Sequence, residues 1–203
     1  MDHDPTWVAL AESLRRIAGL TITQSEIGTK ATNDHREVVE LMGKVLPPPP
    51  ILRFYDETNG IKLLWHGKLG DVVVQGSINI VTLLESSLRA PAREDGELLE
   101  GILWDDEFDP KVLKDLKRMA VFEALAGRPA YLTYFADNTD ASLFLVENDT
   151  IRPIIPDFAT TIRLLREYAG ADTLRAHLTF KDWQDRIAAD AELTALAGAL
   201  RAT

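Results

Sequence analysis

Residues 59–74, NGIKLLWHGKLGDVVV, decide the fold because the hydrophobic period changes within them. The pair Asn59-Gly60 readily adopts the left-handed conformation that ends a helix. After this pair, apolar residues stand at every second position: Ile61, Leu63 and Trp65. That two-residue period is typical of a strand, and the glycine-bearing turn at residues 67–70 leads into the β-branched run 72–74. The stretch therefore predicts a helix end followed by a β-hairpin.

Helices are expected before this hairpin. Asp4 and Pro5 suit the start of a helix whose apolar stripe begins at Trp7 and runs to Ala18. Residues 20–30 are polar and predict a connection. A second helix is expected over residues 33–42, and Gly43 is its stop. Its apolar residues fall on one side: Val38, Leu41 and Met42.

The four prolines 47–50 impose an extended segment, but the last of them can occupy the first turn of a third helix. Beyond the hairpin, the pattern predicts further strands over 76–80, 131–135, 143–146 and 151–155. Residues 119–125 are compatible with a helix or a strand, and the turn residues 127–129 favour a strand. The pattern also predicts a short helix or a turn over 82–88, and helices from Pro110 and from Asp157 to Gly170. A capping box at residues 179–182 is expected to open one alanine-rich helix that extends to Leu200. Helices, then a mostly antiparallel sheet, then helices indicate an α+β fold.

The composition excludes several classes of function. The 203 residues, 46% of them hydrophobic, can bury one substantial core, and there is no cysteine for a disulfide, a thiolate metal site or a thiol nucleophile. The net charge of −10 repels phosphate backbones and anionic lipids, so nucleic acid and membranes are poor partners, whereas a basic protein would be attracted. The acidic start, residues 1–5, does not resemble a secretory signal, and we expect a cytoplasmic protein.

The chain resembles the SUKH superfamily, which joins the yeast cell-wall assembly regulators to many bacterial immunity proteins. The resemblance covers residues 33 to 170. It rests on Leu46-Pro47, Leu52-Arg53-Phe54-Tyr55, residues 59–65, Ser77-Ile78-Asn79-Ile80, Ile151-Arg152-Pro153-Ile154 and Phe158. The resemblance implies one α+β domain with a highly curved sheet, which binds other proteins and has no catalytic residues and no cofactor.

The chain departs from a minimal member of this superfamily at both ends and in its proline run. We therefore expect three segments. Residues 1–30 form an N-terminal helix and connection, residues 31–170 form the SUKH-like domain, and residues 171–203 form a C-terminal helical extension.

An acidic segment is the best candidate for partner binding. Residues 94–109 hold eight acidic side chains and no lysine or arginine. Two aromatic residues flank the central carboxylates, and aromatic anchors beside charges are typical of binding hot spots. The predicted contact residues are Glu94, Asp95, Glu97, Trp104, Asp105, Asp106, Glu107 and Phe108. The alternatives are a solvated loop whose charge aids solubility, and aromatics that merely tether the loop to the core.

The sequence offers little for catalysis or for metal binding. The four histidines are scattered, and the chain lacks HExxH, GxSxG and phosphate-binding glycine motifs. The acidic residues do not have EF-hand spacing. Trp65 is expected on the core face of its strand, in phase with Ile61 and Leu63, and His66 is expected to face solvent. No catalytic residue and no metal ligand is predicted.

Three functions stay open at this point. The first is an immunity protein that neutralises a toxin, such as a basic nuclease, by stoichiometric binding. The second is an intracellular regulatory scaffold that joins several proteins. The third is a small hydrolase or ligand-binding domain whose site is assembled from distant residues.

Overall fold

The computed structural model describes residues 5–88, 110–116, 118–127, 130–147 and 150–203. The helices are α1 (Pro5–Arg16), α2 (Asn33–Leu41), α3 (Pro49–Glu57), α4 (Leu83–Leu88), α5 (Pro110–Leu116), α6 (Phe158–Glu167), α7 (Leu174–His177), α8 (Trp183–Ala189) and α9 (Ala191–Arg201). The strands are β1 (Leu20–Ile27), β2 (Ile61–Leu69), β3 (Val72–Ile80), β4 (Met119–Ala124), β5 (Ala130–Phe135), β6 (Phe144–Glu147) and β7 (Thr150–Pro153).

The seven strands form one sheet in which each strand lies beside the next strand of the chain. Every pairing is antiparallel, and among the described residues the sheet does not close on itself, so β1 and β7 are the edges of this part of the structure. Helices come before, within and after this meander. The predicted α+β class is confirmed.

The expected hairpin is present, but its turn lies further along the chain than predicted. Pairing of β2 with β3 continues to Leu69 and Val72, so the turn is Gly70-Asp71. Gly67 lies inside the strand, where an added Cβ would stand 2.0 Å from the carbonyl oxygen of Gly19. Gly67 therefore lets two backbones approach closely, and it does not make the turn.

Residues 20–30 were expected to be a connection, and that prediction is wrong. Residues 20–27 form β1, which pairs with β2 from Leu20–Gly67 to Ile27–Ile61. The register shifts between Ile22 and Gln24, so one extra residue interrupts the alternation of side chains. Because of this bulge, the sequence of β1 does not show the regular two-residue alternation by which a strand is recognised.

The C-terminal helix was expected to be continuous, and it is broken at Asp190. The side chain of Asp190 accepts hydrogen bonds from the amides of Glu192 and Leu193, at 2.9 and 3.1 Å, and so caps a new helix, α9. The predicted capping box at residues 179–182 is also wrong. Thr179 Oγ1 donates to the carbonyl of Ala176 at 2.8 Å instead.

The main apolar core joins helices from both ends of the described chain to the sheet, and a smaller cluster of Leu116, Met119 and Val146 packs separately. One cluster of buried side chains includes Trp7 of α1, Trp65 of β2 and Leu196 of α9. Trp65 is 2% exposed, beside Ile61 and Leu63 on the same face, so its predicted core position is confirmed. His66 is exposed as expected, although it lies within β2.

Candidate functional site

The sheet forks between β3 and β4. The two strands pair at Ile80 and Glu123 alone, and the amide of Val81 donates to Phe122 O at 3.1 Å. Earlier in β3, the segment after α6 takes the place of β4. There Gly76 bridges to Ala171, and the amide of Ser77 donates to Gly170 O at 3.0 Å. The fork brings three backbone segments together around one buried point.

The guanidinium of Arg175 fills this fork. It donates to Ser77 O and Gly170 O, both at 2.6 Å, and to Ala171 O at 3.2 Å. It also donates to both carboxylate oxygens of Glu123. All five N–H donors of an arginine side chain are thereby satisfied. Both side chains of this ion pair are 0% exposed, so the cluster holds the fork together and leaves no group free to react.

Trp65 fixes the same segment from the side of β2. Its indole Nε1 donates to Ala169 O at 2.8 Å, where Ala169 has a left-handed φ of 44°. A Cβ on Gly76 would stand 2.6 Å from the indole ring. The conformation of residues 169–171 is therefore determined by the sheet beneath it.

A buried hydroxyl pair is the first arrangement that resembles a reactive group. Ser86 Oγ and Tyr134 OH are 2.8 Å apart, and both residues are buried. Burial raises the pKa of Tyr134 well above its usual value. A tyrosine that keeps its proton and has no access to solvent does not serve as a base, so the pair acts in packing.

The second arrangement is a histidine and an aspartate. His177 Nε2 lies 2.8 Å from Asp190 Oδ2, while Oδ1 of the same carboxylate caps α9. Burial tends to raise the pKa of Asp190, but the hydrogen bonds from His177 and from the Leu193 amide outweigh it, so the pKa is lowered. The pair ties α7 to α9 and stabilises the ionised carboxylate.

A cleft of about 570 Å³ lies where β1, β2 and β3 meet α4. Its lining includes Glu26, Lys62, Thr82 and Glu85. Thr82 and Glu85 cap α4 reciprocally, because Glu85 accepts from the Thr82 amide at 3.0 Å and its own amide donates to Thr82 Oγ1 at 3.2 Å. The Thr82 hydroxyl and the Glu85 carboxylate are therefore engaged in holding the helix, while Glu26 accepts a hydrogen bond from Gln24 at 2.8 Å.

Metal-ligating side chains do not gather within the described ranges. No group of three or more histidine, aspartate or glutamate residues there could hold an ion. The described helices are also too short or too polar to cross a bilayer.

An exposed apolar stripe on α2 is the most distinctive surface of the described chain. Leu41 is 86% exposed and Val45 is 64% exposed, and the stripe also includes Val38 and Met42. Val38 and Leu41 are three positions apart on one face of α2, Met42 is the C-cap residue, and Val45 follows Gly43 just past the end of the helix. The exposed carboxylates Glu37 and Glu40 stand beside them. We call these six residues the α2 surface.

The helix that carries this surface is firmly seated. Val39, on its opposite side, is fully buried, and Arg36 forms an ion pair with Asp56 of α3. Just before the helix, the amide of Ala31 donates to Tyr55 O at 2.7 Å. Gly43 ends the helix with a φ of 67°, as predicted. The stripe is thus held in place by contacts that leave its apolar side chains uncovered.

The predicted contact residues lie elsewhere in the chain. Glu94, Asp95, Glu97, Trp104, Asp105, Asp106, Glu107 and Phe108 all fall between residues 89 and 109, outside the described residues. The sequence had grouped Val38, Leu41 and Met42 on one side of α2, and that grouping was the available signal for the α2 surface. It could not reveal that this side faces solvent.

Comparison with protein families and with curated proteins identified no relative of this chain. No family model matches the chain, and no curated protein is significantly similar to it. The resemblance to the SUKH superfamily remains a prediction from the residues.

Proposed function

We propose that this chain is a protein-binding module without catalytic activity, and that it acts as an immunity protein that neutralises a toxin by stoichiometric binding. The α2 surface is the observation that carries the proposal. Large apolar side chains that lie close together in an exposed segment are typical of a surface that another macromolecule covers. The resemblance to a superfamily that contains immunity proteins points in the same direction.

The chemistry of the α2 surface favours a basic partner. Glu37 and Glu40 border the apolar stripe, and the whole chain carries a net charge of −10. A partner with an apolar anchor flanked by lysine or arginine would bury Leu41 and pair with these carboxylates. The acidic segment 94–109 would add long-range attraction to the same kind of partner, as its sequence suggests.

The polar groups of the interior also support binding rather than catalysis. Arg175 and Glu123 satisfy one another and the backbone of the fork, and Asp190 is occupied as a helix cap. A catalytic site needs a reactive group that is free to meet a substrate. These groups are committed to the fold instead.

The experiment is capture of a partner by the tagged full-length chain in its native cell, at low and at high salt, followed by identification and purification of that partner. We expect a basic protein that binds one to one, that is toxic when expressed alone, and that co-expression of this chain renders harmless. Leu41→Asp should abolish the protection. Protection by a Leu41→Asp variant that remains folded would contradict the role of the α2 surface.

Leu52→Asp is unsuitable as a control because Leu52 packs against the core. Val73→Asp is the matched control, since Val73 is 63% exposed and lies on strand β3 rather than on the α2 surface. We expect that variant to retain full protection. A captured partner that turns out to be a small molecule or a membrane would contradict the proposal as a whole.

A further inference from the structure

Strand β1 offers an unpaired backbone edge. Within the described part of the chain, β1 pairs with β2 only. The amide of Gly28 donates to Gly60 O at 2.8 Å, which marks this pair as hydrogen-bonded across the two strands. Because hydrogen-bonded and non-hydrogen-bonded pairs alternate in an antiparallel ladder, the backbone groups of Ser25 and Ile27 point away from β2.

A groove of about 340 Å³ runs between this edge and helix α1. Its lining consists of Val8, Ala11, Arg15, Ser25 and Ile27. The three helical residues are spaced by three and four positions, so they share one face of α1. Ala11 is only 1% exposed and belongs to the core cluster together with Leu10 and Leu14, so it closes the floor of the groove, whereas Val8 is half-buried and Arg15 is exposed. The groove therefore has one wall of helix side chains and one wall of strand backbone.

The charge of the groove is opposite to that of the protein. Arg15 is exposed and has no ion-pair partner among the described residues, whereas its neighbour Arg16 lies 4.0 Å from Glu12. Glu26 lies between two groove residues of β1, so its side chain points to the other face of the sheet. The described lining thus presents apolar groups and one cation, in a chain of net charge −10.

We propose that the β1 edge and this groove bind an extended segment of another protein, which joins the sheet as an eighth strand. Its backbone pairs with the outward groups of Ser25 and Ile27. An apolar side chain lies against Val8, and a carboxylate of the segment pairs with Arg15. Backbone pairing supplies affinity in this mode of recognition, while alternate side chains supply selectivity. A second copy of this chain is a poor occupant because two acidic proteins repel each other.

The test uses a displayed library of random octapeptides, panned on the full-length chain. We expect enriched peptides that combine β-branched residues with aspartate or glutamate. When such a peptide binds, amide hydrogen exchange at Ser25 and Ile27 should slow. Failure to enrich peptides, or enriched peptides that leave these two amides unchanged, would overturn the proposal.

Charge-reversal variants on α1 distinguish specific binding in this groove from nonspecific association. Arg15→Glu should weaken the acidic peptides about fivefold, the effect of an exposed ion pair. Arg16→Glu is the control and should leave binding unchanged. Ser25→Pro removes one outward N–H and should weaken binding about tenfold in a variant whose circular dichroism is native.

Two further outcomes would count against the proposal. Equal binding by the wild type and Arg15→Glu would show that the carboxylate does not meet Arg15. A concentration-dependent dimer that Ser25→Pro abolishes would assign the edge to a second copy of this chain. Leu41→Asp should lose partner binding but keep peptide binding, and this result would separate the present proposal from the role of the α2 surface.

Discussion

The fork around Arg175 and the α2 surface differ in whether their side chains find all their contacts within the protein. In the fork, a charged pair is fully buried and every donor of the guanidinium has an acceptor. In the α2 surface, Leu41 and Val45 are apolar, yet most of their surface meets water. The first region is complete by itself, whereas the second becomes complete only when another molecule covers it. Stability and binding should therefore be separable by mutation.

The largest effect on stability is expected at the fork. Arg175→Met leaves the Glu123 carboxylate buried without its partner, which should destabilise the protein by about 4 kcal/mol. Urea unfolding measures this change. In the double variant Arg175→Met with Glu123→Leu the orphaned charge is gone, so a large part of the stability should return. A single variant as stable as the wild type would show that the pair does not hold the fork.

Two glycines with the same backbone conformation sharpen the comparison. Gly170 in the fork and Gly43 at the end of α2 have φ values of 65° and 67°. An alanine Cβ at Gly170 would stand 2.4 Å from Ser77 O, but at Gly43 it would meet nothing within 4 Å. We expect losses of about 3 kcal/mol for Gly170→Ala and about 1 kcal/mol for Gly43→Ala, measured by thermal unfolding. Equal losses would mean that the fork is not tightly packed.

Asp190 provides a test at a partly buried polar contact, which is intermediate between the fully buried fork and the exposed α2 surface. Its pKa is lower in the folded chain than the usual 3.8, so the ionised carboxylate stabilises the fold. This contribution is present above the unfolded pKa and is lost as the pH falls through the folded pKa. Asp190→Asn, which can still cap α9, should lose about 1 kcal/mol at pH 7. The difference from the wild type should shrink in unfolding experiments below pH 4, and a constant difference would argue against the ionic contribution.

The smallest effect on stability is expected on the α2 surface. Leu41→Asp replaces a side chain that is 86% exposed, so the free energy of unfolding should change by less than about 0.5 kcal/mol. Only partner binding should be lost. A strongly destabilised Leu41→Asp variant would show that Leu41 supports the fold, and the contrast with the fork would then fail.

Local patterns predicted most helices and strands correctly. The proline run illustrates this, because Pro50 lies in the first turn of α3 as predicted, together with Pro49, where no backbone donor is missed. Asp157 caps α6 through the amide of Thr160 at 2.7 Å, again as predicted. Such signals lie within a few residues of the structure that they determine.

Errors arose where a distant partner overrode the local pattern. Strand β1 was not predicted because its bulge is defined by the register with β2, about forty residues away in the chain. The break at Asp190 likewise depends partly on His177, which belongs to another helix. The exposure of the α2 surface could not be predicted for the same reason. The sequence showed the apolar side of α2 but not whether that side faces solvent.

The sequence by itself determined the types of most elements, the α+β class, the acidic balance and the apolar stripe of α2, because period, turn residues and charge are local properties. Only the tertiary structure decided that Val39 faces the core while Leu41 faces solvent, and that Arg175 meets Ser77 and Glu123 across 98 and 52 residues. Burial and buried ion pairing depend on which segments pack together. That packing joins residues far apart in the chain, so no local pattern contains it.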